Sequence, residues 1–210
     1  MTARITVERT VVRRCSSIVS PVVLALFLCP IPVAANALAG PLLDAAIEAE
    51  KLAAGGDAPA ALARIQEGMA RFSESLPLTV PRAVFITERP AAYGSYTAKP
   101  NTIFQPGEPL MTYIEVIGLR WTKLAEDKVE THFTIDMQLT SASGRLVALK
   151  EGFGNIRYPS RVAAQEVFTH LTLDLGGAEP GGYVLRYTVN DIVSERSVSF
   201  ELPFSIAKPG

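Results

Sequence analysis

The sequence predicts a mainly β protein: a seven-stranded antiparallel β-sandwich that follows an N-terminal helical hairpin. Three observations predict this fold class. Residues 129–140 alternate strictly between apolar and polar side chains, as a strand does when one face is buried and the other meets water. About seven such segments recur beyond residue 80, separated by Gly- and Pro-rich turns. Helical periodicity is confined to residues 41–75, so helices do not alternate with the strands.

The N-terminal segment, residues 1–39, has the features of a secretory signal peptide. Arg13 and Arg14 belong to a positively charged start, and an apolar stretch over residues 18–29 follows. Small residues come next, and both Ala35-Asn36-Ala37 and Ala37-Leu38-Ala39 fit a signal-peptidase site. The apolar stretch is shorter than the roughly 20 residues of a membrane-spanning helix. We therefore expect cleavage, a periplasmic or secreted protein and no stable transmembrane span, with a retained anchor as the alternative.

Cleavage near Ala39 has a chemical consequence, because Cys15 and Cys29 are the only cysteines and both precede it. The mature protein is then predicted to have no disulfide, no cysteine nucleophile and no thiolate metal site. The formal net charge of the whole chain is -1. This value implies no strongly basic surface, so nucleic acid is not expected as a partner.

Residues 40–76 are predicted to form the helical hairpin. Pro41 suits the start of the first helix, Gly55-Gly56 its end, and Asp57 the cap of the second helix. The Ala-rich sequence of residues 56–62 resembles part of one tetratricopeptide hairpin. A single unit of that kind cannot bury its own apolar face, so we expect the hairpin to pack on the sandwich or on a partner. The predicted face consists of Leu62, Ile65, Met69 and Phe72.

Residues 77–210 are predicted to form the sandwich domain, with Pro77 and Pro81 at the boundary. Residues 152–161, rich in Gly, Tyr and Pro, are predicted to form a loop. Pro203 removes a hydrogen-bond donor from the last strand, which we therefore expect at an edge or at a bulge. The predicted strands are 80–87, 110–117, 129–140, 145–150, 166–175, 183–189 and 198–206.

Two of these strands resemble strands of immunoglobulin-like and fibronectin-III-like modules. Residues 180–189 are similar to the penultimate strand of such modules, and Tyr183 stands where they often place a corner tyrosine. Residues 105–116 are similar to their second strand. Over about residues 80–207 the chain thus resembles the immunoglobulin-like module of uncharacterised exported bacterial proteins. The resemblance implies an immunoglobulin-like sandwich but no activity, since one fold hosts many functions.

Catalytic and metal-binding patterns are weak in this sequence. His132 and His170 are the only histidines, and each is predicted on the outer face of a strand. A metal site needs three or four converging ligands, and the sequence contains no such group of ligand residues within a short stretch. The serine elbow of hydrolases and the glycine-rich phosphate loop are not found either. We therefore predict no catalytic residue, no metal and no cofactor, and hence a protein that is not an enzyme.

Aromatic residues in predicted loops are the candidate ligand-binding residues. Rings on loops suit the binding of sugars or peptides, because they offer apolar area at low entropic cost. The alternative is that Trp121 and Tyr93 close the open ends of the sandwich. The candidates are Tyr93, Tyr96, Trp121, Phe153 and Tyr158, and Phe104 lies in the same stretch as the first two.

The function that the sequence predicts is that of a non-catalytic exported protein. It would serve as a protein-interaction or structural accessory module, and its partner would be another periplasmic or envelope protein. One alternative is a carbohydrate- or cell-wall-binding module that uses the loop aromatics to hold a glycan. The other is an enzyme with a scattered site, in which His132 or His170 meets carboxylates.

Overall fold

The computed structural model describes residues 40–125 and 127–209, and the predicted signal peptide lies outside them. Within these residues the fold is mainly β with an N-terminal helical hairpin, as the sequence predicts. The helices are α1 (Pro41–Ala54) and α2 (Ala58–Ser75). The strands are β1 (Thr79–Ile86), β2 (Ile103–Phe104), β3 (Leu110–Ile117), β4 (Thr122–Lys123), β5 (Val129–Ser141), β6 (Leu146–Ser160), β7 (Val167–Leu173), β8 (Gly181–Asp191) and β9 (Arg196–Ile206).

The strands form two sheets. The smaller sheet has the order β1-β3-β7, and both of its pairings are antiparallel. The larger sheet has the order β2-β9-β8-β5-β4, and β6 pairs with the side of β5 opposite β8. Its pairings are antiparallel except that of β2 with β9. In the described part of the chain, nine strands thus replace the seven predicted, and the two additional strands, β2 and β4, have two residues each.

The fourth strand is longer than the sequence predicts, and the prediction of a loop at residues 152–161 is wrong. Strand β6 continues through this segment by means of a bulge, where the register with β5 shifts after Ile135. Gly152 takes a left-handed conformation there (φ 58°), which a glycine adopts without strain. A bulge accommodates residues that would otherwise end a strand. Phe153 and Tyr158 therefore lie in a strand and not in a loop.

One hydrophobic core draws side chains from both sheets. The alternation predicted for β5 and β8 is confirmed, because Phe133 and Ile135 on β5 and Tyr187 on β8 are fully buried. Phe104, expected in an exposed loop, is also fully buried, and its ring lies 5.2 Å from that of Phe85, edge to face. Its placement follows from β2, which runs along the edge of β9 and turns the ring inward.

The outer face of the smaller sheet is covered as well. Tyr113 and Glu115 alternate with the core residues of β3, yet both are buried. The chain after β1 folds back over them, since the Gly94 N–H donates to the Tyr113 hydroxyl oxygen at 2.8 Å and the Tyr96 ring stacks on that of Tyr113. The excursion between β1 and β2 thus forms a third layer, and it places two of the candidate aromatic residues against the sheet.

The hairpin has the caps that the sequence predicts. Asp57 accepts a hydrogen bond from the Ala60 N–H at 3.1 Å, and Gly56 takes a left-handed conformation (φ 85°) between the helices. The two helices are close, because a Cβ added at Gly68 would lie 2.3 Å from the Cβ of Ala45. Within the described residues, neither helix is long and apolar enough to cross a membrane.

Candidate functional site

The helical hairpin carries its small residues inside and its large apolar residues outside. Ala45, Ala49, Ala61 and Gly68 are the residues buried between α1 and α2. Six large apolar side chains of the same helices are 37% to 59% exposed, and they are Leu42, Leu43, Ile47, Leu62, Met69 and Phe72.

Leu42, Leu62, Met69 and Phe72 lie along one side of the hairpin, and we call these four the apolar face. Leu43 and Ile47 are each two positions from the buried Ala45, about 200° around the helix, so they are exposed on the side of α1 that faces away from α2. Leu62, Met69 and Phe72 recur at helical intervals on α2, as predicted, and Leu42 continues the face on α1. An apolar groove runs between the two helices on this side, and Glu50 is the charged residue that lines it. The other lining residues are Ala46, Ala49, Ala53, Ala61, Leu62 and Ile65.

The opposite side of the hairpin is charged and paired. Arg64 donates to Glu48 of α1 at 2.5 Å and to Glu67 at 2.8 Å, and Arg71 donates to Glu67 at 2.5 Å. The hydrogen bond to Glu48 is the main cause that raises the pKa of the Arg64 guanidinium. Exposed ion pairs contribute little stability, because water screens the two charges. Their effect is to keep this side in water and to leave the apolar face as the side that a partner can cover.

A buried carboxylate lies at the centre of the covered face of the smaller sheet. Glu115 is 7% exposed and accepts hydrogen bonds from the hydroxyl groups of Tyr113, at 3.0 Å, and Tyr93, at 3.3 Å. Arg82 of β1 approaches it to 3.7 Å. The Gly94 N–H donates to the Tyr113 hydroxyl oxygen at 2.8 Å. We call Arg82, Tyr93, Tyr113 and Glu115 the tyrosine–glutamate cluster.

This cluster keeps its tyrosines protonated. Burial raises the pKa of Tyr113 to about 12, an effect that the Gly94 N–H opposes and the Glu115 carboxylate reinforces. Burial and the charge of Glu115 also raise the pKa of Tyr93. Both hydroxyl groups are therefore neutral hydrogen-bond donors at physiological pH and are not activated as nucleophiles. The chemistry of the cluster is that of an anchor, which ties the segment around Tyr93 to the sheet.

The five candidate aromatic residues lie in three places. Tyr96 stacks on Tyr113 with ring centroids 4.4 Å apart, and Tyr93 meets Phe168 edge to face at 6.3 Å. These two candidates therefore lie at the tyrosine–glutamate cluster. Trp121 meets Tyr158 edge to face at 6.1 Å. Each of these three residues is half-buried: Tyr93, Tyr96 and Trp121.

Phe153 occupies the third place, stacked at 6.3 Å on the buried ring of Tyr187. Phe153 and Trp121 are both partly buried against the hydrophobic core. Tyr158, at 39%, is the exposed member of the five. The rings therefore form pairs with neighbouring aromatic residues at separate points, and they do not share one flat surface.

The two histidines lie in different sheets. His132 is on β5, where its Nε2 is 2.9 Å from Oδ1 of Asn155. His170 is on β7, directly opposite Tyr113 in the antiparallel pair. In the part of the chain that the structure describes, no three His, Cys, Asp or Glu side chains are grouped so that they could hold a metal ion.

Sequence reasoning missed Arg82, Tyr113 and Glu115 as members of the tyrosine–glutamate cluster. It also missed Phe168, whose ring packs against Tyr93 and Tyr113. A signal was present in β3, because its eight residues, Leu-Met-Thr-Tyr-Ile-Glu-Val-Ile, are apolar or aromatic on both faces apart from Thr112 and Glu115. A strand of that composition is typical of a sheet covered on both sides. A glutamate on such a strand needs partners, and these come from the segment that covers it.

Comparisons with known proteins give only distant likenesses. No protein-family model and no curated protein matches the sequence. A family 123 glycoside hydrolase from Clostridium perfringens is 13% identical with a TM-score of 0.39, covering 62% of this chain and 28% of its own. The alkylpurine DNA glycosylase AlkC from Pseudomonas fluorescens is 7% identical with a TM-score of 0.36, covering 69% of this chain and 34% of its own.

A third solved structure, the structural genomics target SoR45, is 17% identical with a TM-score of 0.22 and covers 64% of this chain and 91% of its own. The chain thus spans about a third or less of the length of the two enzymes, 28% and 34%. Likenesses at these TM-scores assign neither a fold family nor an activity to this chain.

Proposed function

We propose that this chain is an exported, non-catalytic accessory protein that binds a protein with a matching apolar helical surface through its hairpin. The observation that carries the proposal is the apolar face of α1 and α2. Four large apolar side chains are exposed there, while only alanines and a glycine are buried between the helices. Contiguous apolar patches of this kind mark surfaces that bind other proteins.

The energetics of short helices support this proposal. Helices below about 12–15 residues are marginal in water and depend on tertiary packing of an apolar face. Helix α1 has 14 residues, and between the helices it buries Ala45 and Ala49, whose apolar area is small. A partner that covers the apolar face would supply the burial that the hairpin does not supply for itself.

The sequence of residues 1–39 supports export. It combines arginines, a short apolar stretch and two possible peptidase sites. Fractionation of expressing cells tests this part of the proposal. We expect the periplasmic protein to begin after Ala37 or Ala39 by N-terminal sequencing. Recovery of the intact chain from the cytosol would contradict export.

We further propose that the β domain is an immunoglobulin-like sandwich of the fibronectin-III-like kind. Without the two-residue strands, the sheets are β1-β3-β7 and β9-β8-β5-β6, which supports this topology. Tyr183 supports it as well, because its hydroxyl group donates to the Glu179 carbonyl at 2.7 Å, as a corner tyrosine does. An experimental structure in which these two sheets do not face each other would remove this proposal.

The binding role is tested by photo-cross-linking in living cells. A photoreactive amino acid at Leu62, which is 59% exposed, probes the apolar face. The same residue at Leu149, which is 60% exposed on β6, is the matched control. We expect a protein adduct from position 62 and little or none from position 149. Equal yields at both positions would show that the hairpin is not a preferred surface.

A further inference from the structure

We infer that Arg196 fixes the orientation of the helical hairpin on the β domain, so that the two parts of the chain move as one body. They are joined at Leu76-Pro77, between α2 and β1. The inference goes beyond the proposed function, because it concerns how the hairpin is held and not which protein covers it. A hairpin held in one orientation also loses less entropy on binding than one that pivots.

The hairpin makes little contact with the strands. Within the described residues, the helices pack on each other and hardly on the sheets. A cleft of about 430 Å³ lies between α2 and the start of β5, with Ala70 and Val129 on its two sides. Arg120 and Glu74 approach each other to 3.4 Å across the junction, but both are partly exposed and water screens their charges. Domains joined by so little contact normally move relative to each other.

The guanidinium of Arg196 joins the end of α2 to the β domain. Its Nη1 donates to the Leu76 carbonyl at 3.1 Å, and its Nη2 donates to the Gly118 carbonyl in the turn after β3. The last carbonyls of a helix have no partner within the helix, so the Leu76 carbonyl is free to accept. A positive charge is favourable there, because the C-terminal end of a helix carries a partial negative charge.

A buried carboxylate holds this guanidinium in place. Asp191 is 1% exposed, and its Oδ2 lies 3.4 Å from Nη2 of Arg196. The Ser194 hydroxyl group connects the two, because it accepts from Nε of Arg196 at 2.8 Å and donates to Asp191 at 2.5 Å. Glu195 takes a left-handed conformation (φ 56°), which is strained for a residue with a side chain. Such strain persists where the surrounding structure holds it, and here the hydrogen bonds of Asp191 hold the turn.

Gly118 allows the link between the two parts to come close to the β domain. It has a left-handed conformation (φ 78°), and a Cβ added to it would lie 2.4 Å from the Pro77 carbonyl oxygen. A residue with a side chain would therefore push the link away from the turn. The close approach is what brings the carbonyls of Leu76 and Gly118 within reach of one arginine.

Relaxation of the backbone amide nitrogens tests the inference on the wild-type protein, purified from cells that express the full chain. We expect the amides of α1 and α2 and those of the β domain to report the same rotational correlation time. Two parts that move as one body tumble together, whereas a tethered part that pivots reorients faster. A shorter correlation time for the hairpin would overturn the inference.

Arg196→Gln removes the bridge between the two carbonyls. The β domain should still fold, because Asp191 keeps the N–H groups of Arg120 and Val193 and the hydroxyl group of Ser194 as donors. The correlation time of the hairpin should fall by about a third or more, while that of the β domain changes little. Arg196→Lys should have the same effect, because an ammonium group lacks the planar fork that meets several acceptors at once.

Arg186→Gln is the matched control. It makes the same chemical change on the neighbouring strand β8, where Arg186 pairs with Glu201 on the outer face of the sheet. The hairpin and the β domain of this variant should keep one common correlation time. An equal loss in Arg186→Gln and Arg196→Gln would show that the effect is not specific to Arg196 and would overturn the inference.

Gly118→Ala provides a second variant, which leaves Arg196 in place. The new Cβ displaces the Pro77 carbonyl, so one guanidinium can no longer reach both acceptors. We expect the hairpin to tumble faster than the β domain in this variant too. A hairpin that keeps the correlation time of the β domain in folded Arg196→Gln or folded Gly118→Ala overturns the inference.

Failure of this inference and failure of the proposed function have different outcomes. A wild-type hairpin that pivots and still gives adducts from position 62 overturns the role of Arg196 and leaves the proposed function intact. A hairpin that tumbles with the β domain but gives equal adduct yields from positions 62 and 149 supports the role of Arg196 and contradicts the proposed function.

Discussion

The β domain and the helical hairpin place their large apolar side chains in opposite ways. In the β domain the largest buried residues are aromatic and branched, such as Tyr187, Phe104 and Phe133. In the hairpin, alanines and a glycine are buried, and Leu62 and Phe72 are exposed. The difference teaches that the β domain has a core of its own, whereas the hairpin has the composition of one half of an interface.

The largest expected effect comes from the same substitution made in the two regions. Phe133→Ala, at a fully buried site in β5, should lower the free energy of unfolding by about 3–5 kcal/mol, because it removes apolar burial and leaves a cavity. Phe72→Ala, at a residue that is 43% exposed, should cost the dilute protein less than about 1.5 kcal/mol. Urea unfolding followed by the fluorescence of Trp121, the one tryptophan of the chain, measures both. Equal costs would break the comparison between the regions.

The tyrosine–glutamate cluster predicts a pH dependence of the β domain. The pKa of Tyr113 is about 12 in the folded protein and about 10 in an unfolded chain. Folding therefore favours the protonated form of Tyr113. The resulting contribution to the free energy of unfolding is complete below pH 10 and is lost as the pH rises toward 12. The loss is about 3 kcal/mol at most, from a shift of about two units.

Thermal unfolding between pH 8 and 12 checks the prediction against Tyr113→Phe, which lacks the titrating group. The wild-type protein should lose stability above pH 10 more steeply than the variant. Tyr158→Phe is the control, because it makes the same chemical change at an exposed tyrosine. Identical slopes for wild type and Tyr113→Phe would contradict the assigned role of burial at Tyr113.

A smaller effect is expected at the contact between the helices. Gly→Ala within a helix normally stabilises by about 1 kcal/mol. At Gly68 the sign should reverse, because the new Cβ would lie 2.3 Å from the Cβ of Ala45 and the helices must separate. We expect a loss of about 1–3 kcal/mol from overpacking, seen as faster amide exchange in α1 and α2. Ala63→Leu, at an exposed position of α2, is the control. If Gly68→Ala stabilised the hairpin, the close contact between Gly68 and Ala45 would be contradicted.

Sequence patterns predicted the elements whose periodicity is local. Strand β3 has the bounds predicted for it, and β5 extends one residue beyond its prediction. The cap at Asp57 was also predicted, since one carboxylate and one nearby N–H suffice to form it. These features depend on residues only a few positions apart, which is why the chain alone specifies them.

Features that depend on distant residues could not be predicted in this way. The bulge at Gly152 depends on pairing with β5 across a register shift, and the cluster joins Tyr93 to Glu115 across 22 positions. The burial of Phe104 depends on β2 lying beside β9, about 100 residues later. The candidate interaction surface was foreseen on α2, but its continuation at Leu42 of α1 required the packing of the two helices.

The central claim, that a protein covers the apolar face in the cell, is tested most directly by oxidative footprinting of intact cells. The account predicts that Leu62, Met69 and Phe72 are oxidised far less in cells than in a dilute purified sample. Leu146 and Leu149, which are exposed on β6, should be oxidised to the same extent in both. Equal oxidation of the apolar face in cells and in dilute solution would contradict the account.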